Sequence, residues 1–247
     1  NNNRIADLRT PLANASNPLI GLSITGGTTV NTYYNTVHLN GTSSGTNFGS
    51  SAVSVSTTPT FDSRNNNFSN TSTPNGTGLS VAYRRSGTSL TNYASTSNRN
   101  NLFATHLFSD GTNNITTVLA YKTHVGPTRD LNSISENPTF LSTTCGNANF
   151  LKINTVTPTG LESGGATIGS VTDDFEGDSR GGTPDIGADE FTGTPLPNCS
   201  GIPASATINA VASAVCTGFG TNLTLSTTYT DLGITYQWRS STTPGGP

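Results

Sequence analysis

Four short stretches decide the fold of this chain: GLSITGG at 21–27, NTVHLNG at 35–41, SAVSVST at 51–57 and GLSVAY at 78–83. In each of them apolar residues alternate with small or polar ones. Alternation with a period of two places the apolar side chains on one face of a β-strand. Such strands recur about every 12–16 residues, with Gly, Asn, Ser or Pro in nearly every gap. The pattern therefore predicts an all-β chain with many turns.

Asparagine-rich pieces recur along the same part of the chain: NNNRI at Asn1, NNNF at Asn65 and RNNLF at Arg99. Recurring strands and turns indicate a solenoid, in which each coil buries its apolar face only by stacking on its neighbours. We expect inward columns of apolar side chains and hydrogen-bonded ladders of asparagine at the turns. The sequence thus predicts a right-handed parallel β-helix over 1–191, with one helix-like stretch at 116–124. An antiparallel β-sandwich is the rival, because it also has closely spaced short strands.

Composition agrees with a thin β-core and argues against several classes of protein. Of the 247 residues, 31% are hydrophobic and 10% are charged, and the formal net charge is −3. Low net charge and abundant Thr, Val and Ile argue against disorder. Scattered Lys and Arg argue against nucleic acid as a partner, and no apolar run approaches the ~20 residues that span a bilayer. Since the chain has no methionine, we expect it to be a piece of a larger protein.

A second module is predicted after a linker. The stretch TGTPLPNCS at 192–200 has two prolines and no strand pattern. Beyond it, strands are predicted at 206–212, 222–226 and 234–238. Trp238 follows Cys216 in the order found in an immunoglobulin-like core. Residues 201–247 are therefore predicted to be the start of an incomplete immunoglobulin-like module.

The three cysteines differ in their expected roles. Cys199 and Cys216 pair either with each other or with cysteines beyond residue 247, and the sequence leaves both alternatives open. Cys145 stands far from both, and we expect it to be a small buried hydrophobe.

Several phrases resemble one family: large secreted parallel β-helix proteins of Bacteroidota. They are YYNTVHLNGTSSG at 33–45, NNNFSN at 65–70, LNSISENPTF at 131–140 and, most specifically, VTDDFEGDSRGGTPDIGADEF at 171–191. The last is similar to the sequence that closes the final coil in those proteins, and YQWRSS at 236–241 resembles the immunoglobulin-like repeats that follow it. The resemblance implies export by the type IX route, display on the cell surface, and adhesion or matrix roles. It brings no catalytic signature, since β-helices host many unrelated functions.

The acidic residues concentrate between positions 173 and 190, which hold seven of the fourteen. Asp174, Glu176 and Asp178 alternate there, and Ca²⁺ prefers six to eight oxygen ligands, so these three residues are a candidate calcium site. The favoured interpretation is a structural turn that caps the end of the solenoid. In it Arg180 pairs with a carboxylate, and Asp185 and Asp189 accept hydrogen bonds from backbone N–H groups.

The remaining candidates for chemistry are weak, and we predict no catalytic residue and no certain cofactor. A glycosidase needs two facing carboxylates, yet the acidic residues before 131 are widely spaced. The histidines share no metal-ligand spacing. A strip of tyrosines beside two arginines has the chemistry to stack on sugars, but we expect those rings to pack in strands instead. These residues are Asp7, Asp62, Asp110 and Asp130; His38, His106 and His124; and Tyr33, Tyr34, Tyr83, Tyr93, Arg84 and Arg85.

Together these observations predict a non-enzymatic extracellular protein of the bacterial cell surface, acting as an adhesin or as a component of a stalk or filament. Its expected partner is a surface polysaccharide or another extracellular surface, other cell-surface proteins, or further copies of itself. The alternative is a polysaccharide lyase or hydrolase that acts in a groove along the β-helix.

Overall fold

The computed structural model describes residues 1–196, 207–210 and 223–226. The chain divides into two units, Asn1–Pro195 and Leu196–Pro247. This division falls inside the proline-containing stretch 192–200 that was predicted to be a linker.

The first unit consists almost entirely of short strands. In chain order they are β1 (Arg4–Ile5), β2 (Ala15–Ile24), β3 (Thr29–Tyr33), β4 (Thr36–Leu39), β5 (Phe48–Val55), β6 (Thr60–Arg64), β7 (Asn67–Asn70), β8 (Ser80–Arg85), β9 (Asn101–Ala104), β10 (His106–Ser109) and β11 (Asn114–Ile115), followed by the helix α1 (Val118–Val125). The helix lies where the helix-like stretch 116–124 was predicted. In the part of the chain that the structure describes, no helix has the length and the apolar composition needed to span a membrane.

The strands stack into three sheets. Sheet A has the order β1-β4-β7-β9, sheet B the order β11-β10-β8-β5-β2, and sheet C contains β3 and β6. Apart from the β10–β11 hairpin, every strand pair in the three sheets is parallel. Along sheet A, Arg4 pairs with Thr36, Thr36 with Asn67, and Asn67 with Asn101, so each coil takes a little over thirty residues. This is a parallel β-solenoid of about three turns, and the parallel registers exclude the antiparallel sandwich for these strands.

Apolar columns fill the interior of the solenoid, as predicted. In sheet A, Val37 pairs with Phe68 and Phe68 with Leu102, and all three are buried. In sheet B, Val53, Tyr83 and Phe108 occupy successive coils of one column. A further column joins Val30 and Phe61 in sheet C. Because each coil covers its neighbour, residues that are merely alternating in sequence become a continuous core.

An asparagine ladder runs along one corner of the solenoid, which confirms the predicted ladder. Nδ2 of Asn3 donates to Oδ1 of Asn35 at 2.7 Å, Asn35 to Asn66 at 2.8 Å, and Asn66 to Asn100 at 2.9 Å. The residue before each rung has a left-handed backbone, with φ between 54° and 57°. This conformation turns the chain sharply from one strand into the next. Those residues are Asn2, Tyr34, Asn65 and Arg99.

Helix α1 covers the C-terminal end of the coils. Thr117 is its N-cap, and the Thr117 hydroxyl accepts a hydrogen bond from the N–H of Ala120. Tyr121 and Val125 are fully buried and belong to the same core as Phe108. The rings of Phe108 and Tyr121 lie 5.7 Å apart. The helix thus closes a core that would otherwise end at an open coil.

After α1 the first unit continues as turns and isolated bridges that pack against the solenoid. Phe140 lies across His38 of sheet A, with ring centroids 5.1 Å apart. Cys145 is exposed in this region, so its predicted burial is wrong. It lies in a polar loop, where its N–H donates to the Asp7 carboxylate at 3.2 Å.

In the second unit the structure describes one small antiparallel sheet. Its strands are β12 (Ile208–Ala210) and β13 (Leu223–Leu225), with Asn209 opposite Thr224. Both lie within the strands predicted at 206–212 and 222–226. The strand predicted at 234–238, with Trp238, and the cysteines Cys199 and Cys216 lie outside the described residues.

Candidate functional site

The acidic segment 171–191, called the closing segment below, packs against the corner of the solenoid. The N–H of Gly187 donates to the carbonyl of Asn65 at 2.8 Å, and the N–H of Ala188 donates to the Thr36 hydroxyl at 2.9 Å. Gly187 has a φ of 112°, and a Cβ there would lie 2.7 Å from the Thr36 Oγ1, so this position requires glycine. The segment was expected to cap the end of the solenoid. That position is wrong, because the segment contacts residues of earlier coils.

The structure brings two of the three candidate calcium ligands together and replaces the third. Carboxylate oxygens of Asp174, Glu176 and Asp189 lie within 4.8 Å of one another. Asp178 is exposed, and it takes part through its backbone alone: its N–H donates to the Asp174 carboxylate at 2.9 Å, and its carbonyl accepts from the Asp174 N–H at 2.9 Å. Asp189 therefore stands where the sequence pattern placed Asp178. The alternating spacing of the three predicted residues gave no signal for this exchange, because Asp189 arrives from the far end of the closing segment.

The oxygens of this group are already engaged by N–H donors. Oδ1 of Asp174 accepts bonds from three consecutive backbone N–H groups, those of 176–178, at 2.7 to 2.9 Å. Its Oδ2 accepts from the N–H of Glu190. The Arg4 guanidinium bonds both oxygens of Glu176 and one oxygen of Asp189. This arrangement joins the closing segment to the first coil. A calcium ion would have to displace these donors to reach its usual six to eight oxygens, and the candidate calcium site stays an untested hypothesis.

The predicted structural contacts of the remaining closing-segment residues are confirmed. Arg180 pairs with Glu190 at 2.8 Å, and its guanidinium lies 3.9 Å from the centre of the Tyr34 ring. Asp185 accepts bonds from the N–H groups of Ser163 and Phe191 at 2.6 and 2.7 Å. Asp189 also accepts from a backbone N–H, that of Ile153, at 3.2 Å. Each carboxylate therefore satisfies backbone groups that no β-strand pairs.

Burial changes the pKa of these carboxyl groups. It raises the pKa of Asp185 to about 7, although two backbone hydrogen bonds oppose the rise. Burial likewise raises the pKa of Asp189 to about 6, against the opposing charge of Arg4. Desolvation outweighs hydrogen bonding in both cases, because a buried carboxylate loses more water contacts than the N–H donors replace.

Each histidine has neighbours of its own. His38 is buried, with Nδ1 2.9 Å from the Ser69 hydroxyl, and burial lowers its pKa to about 4. His124 lies 3.5 Å from the Asp110 carboxylate. His106 begins β10 and pairs in register with Val81. The three histidines therefore lie in three different surroundings.

The tyrosines pack in the interior, as expected. The exposed fraction of Tyr33, Tyr34, Tyr83 and Tyr93 is at most 8%. The hydroxyl of Tyr93 donates to the buried Asp130, and Tyr121 donates to the same oxygen at 2.7 Å. Their rings are therefore not available to stack on a sugar.

The outer face of sheet B carries an arginine that the sequence singled out only as a neighbour of those tyrosines. Two consecutive residues of β5 face the core, Ala52 and Val53. The rows beside them in the sheet are Ser51, Val81 and His106 on one side, and Ser54, Arg84 and Ser109 on the other. Ser54, Arg84 and His106 are partly exposed, whereas Ser51, Val81 and Ser109 are buried.

The Arg84 side chain extends from its own row to the row that contains Ser51. Its Nε donates to the Ser51 hydroxyl at 2.8 Å, and that hydroxyl donates to Oδ1 of Asn17 at 2.7 Å. Of the described residues, no carboxylate lies within salt-bridge distance of Arg84. Burial lowers its pKa, with no opposing charge. We call Asn17, Ser51, Arg84 and His106 the Arg84 strip.

The described part of the chain is thus a parallel β-solenoid whose closing segment binds residues of several coils. We call these contacts of residues 171–191 with Arg4, Thr36 and Asn65 the clamp. Comparisons with models of protein families, with curated proteins and with solved structures found no match to this chain.

Proposed function

We propose that this chain belongs to a non-enzymatic protein of the bacterial cell surface that works as an adhesin, with the Arg84 strip as its binding face. The solenoid is the scaffold that presents the strip. The proposal includes an immunoglobulin-like module at 201–247 as a spacer, an extracellular location, and the type IX export route of Bacteroidota that the sequence resemblance implies.

The observation that carries the proposal is the uncompensated charge of Arg84. A partly buried guanidinium loses hydration, and a carboxylate partner normally offsets that loss. Arg84 has no such partner among the described residues, and only its Nε has a hydrogen-bond acceptor in the protein. A carboxylate supplied by a ligand would restore the missing interaction. The ligand we propose is therefore an acidic polysaccharide.

The acidic side chains support binding over catalysis. Asp62 bonds Arg64 and Tyr33, and Asp110 accepts bonds from its own turn. Asp130 lies in the core, and Glu136 accepts from the hydroxyl of Thr159. Glycoside hydrolysis needs two carboxyl groups free to face a substrate. These four carboxyl groups are engaged in holding turns and coils together.

A glycan array tests the proposal. The chain should bind carboxylated polysaccharides and not their neutral counterparts, and rising salt should weaken this binding because dissolved ions screen the attraction between the ligand's carboxylates and Arg84. Arg84→Gln should lower the affinity about tenfold, in keeping with the loss of one charge-assisted hydrogen bond. Arg9→Gln is the matched control: Arg9 is exposed and already pairs with Asp7, so its removal should leave binding unchanged.

Assays of reducing ends and of unsaturated uronides on the bound polysaccharides separate binding from turnover. Binding without turnover supports an adhesin. Turnover by the chain would contradict the proposal that it is not an enzyme. Equal binding by wild type and Arg84→Gln would contradict the proposal that the Arg84 strip is the binding face.

A further inference from the structure

The two ends of the solenoid differ. Helix α1 covers the C-terminal end, whereas β1, β2 and β3 are each the outermost strand of their sheet at the other end. β2 has ten residues. Of the described residues, none pairs with the outer edge of these three strands. A long edge strand with open N–H and C=O groups is a template for pairing with another strand.

The apolar columns are incomplete at the same end. Leu22 of β2 pairs with Val53, and Val30 of β3 pairs with Phe61. Val53 and Phe61 are fully buried, whereas Leu22 and Val30 are only partly buried. In the connection between β1 and β2, Leu12 is 82% exposed. The apolar side chains of later coils are covered on both sides, whereas those of the first coil are covered on one side only.

The asparagine ladder is also incomplete at this end. All its hydrogen bonds run in one direction, from a donor in one coil to an acceptor in the following coil. The side-chain N–H of each rung donates to the side-chain oxygen Oδ1 of the asparagine in the next coil. The last rung, Asn100, donates to Oδ1 of Asp130 at 2.9 Å. A carboxylate only accepts hydrogen bonds, so Asp130 terminates the ladder. At the other end, Oδ1 of Asn3 accepts no hydrogen bond from the described residues. The ladder has room for another rung only before Asn3.

We infer that the end formed by β1, β2 and β3 docks one further parallel coil of the same solenoid, joined to the chain ahead of Asn1. Its strands pair in parallel with the three open edges, and its apolar residues cover Leu22 and Val30. An asparagine at its corner donates to Oδ1 of Asn3. A second copy stacked head to tail does not fit, because its C-terminal end is covered by α1. This inference stands on the edges and the ladder, independently of the Arg84 strip.

Adding a coil to the whole 247-residue chain tests the inference. A copy of residues 34–63 placed directly before Asn1 keeps the register, because Asn1 then takes the position that Arg64 has in the next coil. The backbone amides of β2 should then exchange their hydrogens about tenfold more slowly, since the edge becomes a central strand. The midpoint of denaturant unfolding should also rise. An added coil that leaves both quantities unchanged overturns the inference.

A matched variant and a measurement of assembly state complete the test. Asn35→Asp in the added copy removes the N–H that donates to Asn3, and it should reduce the gain in stability while leaving the rest of the coil intact. Sedimentation of the unextended chain should show a monomer. A dimer that protects the β2 amides would make a second copy the occupant and would overturn the proposed coil.

Discussion

Arg4 and Asp189 are 185 positions apart in the chain, and the Arg4 Nη2 donates a 2.5 Å hydrogen bond to the Asp189 Oδ1. The Arg4 side chain is 4% exposed and that of Asp189 is 9% exposed. The same guanidinium also pairs with Glu176. One cation of the first coil therefore holds two carboxylates of the closing segment, the buried Asp189 and the more exposed Glu176.

Removal of that cation should be costly. Arg4→Ala is expected to lower the free energy of unfolding by about 3 kcal/mol, because it leaves Asp189 buried without a counter-charge. Chemical denaturation measures the change. Arg9→Ala is the control, and since Arg9 is 77% exposed, its loss should cost less than about 0.5 kcal/mol. Equal losses of stability from the two substitutions would contradict the stabilising role of the contacts between Arg4 and the closing segment.

Asp185 should make the protein less stable as pH rises. Its pKa of about 7 in the folded chain lies above the ordinary value of 3.8. Between those values the folded state binds more protons than the unfolded state, so the free energy of unfolding falls with rising pH, by at most about 1.4 kcal/mol per pH unit, and levels off above pH 7. Below about pH 4 this contribution is fully present.

Comparison of wild type with Asp185→Asn isolates the contribution of Asp185. The variant should be less stable overall, because its amide nitrogen meets a backbone N–H, and its stability should fall less steeply between pH 4 and 7. His38, with a pKa of about 4, acts in the opposite direction but is common to both proteins. Parallel pH profiles would show that Asp185 ionises normally.

The interior of the asparagine ladder should matter more than its end. Asn66 is fully buried, and its amide bonds Thr32, Ser63 and Asn100. Asn66→Ala is expected to cost about 3 kcal/mol, because several buried partners lose their hydrogen bonds. Asn3→Ala, at the exposed end, should cost about 0.5 kcal/mol. Denaturant midpoints compare the two, and a similar loss at both positions would argue against a cooperative ladder.

Calcium is expected to have no effect on this chain. The carboxylates of Asp174, Glu176 and Asp189 already bind Arg4 or backbone N–H groups. Titration calorimetry should detect no binding heat, and chelation should leave the unfolding temperature unchanged. A saturable heat that Asp178→Asn abolishes would instead establish the calcium site that the sequence pattern suggested.

Much of the solenoid could be predicted because its information is local. Alternation at Leu22 and Ile24 or at Val53 and Val55 is visible within a few residues, and so is the recurrence of asparagine at the corners. The short helix followed from a stretch without turn residues. The parallel direction of the strands was harder to predict, since the spacing of the strands also fits an antiparallel sandwich. The preference for a β-helix depended on the recurrence of strands and asparagine-rich turns over several coils.

The tertiary contacts could not be predicted in the same way. The docking of Gly187 and Ala188 on Asn65 and Thr36 joins residues more than 120 positions apart, and no local pattern encodes such a pair. The structural role of Asp185 was correct because carboxylates commonly accept backbone N–H bonds. The substitution of Asp189 for Asp178 in the acidic group, and the lone charge of Arg84, depend on distances that only the folded chain defines.

The clamp also changes how the solenoid should come apart. In a repeat array each unit touches only its nearest neighbours, so terminal units can fray and unfolding can proceed as an unzipping reaction. Here residues of the closing segment contact three successive coils, so the first coil cannot separate without breaking its contacts with the closing segment as well. We therefore expect a single, all-or-none transition for Asn1–Pro195 and no stepwise loss of coils, and a high relative contact order that makes folding slow.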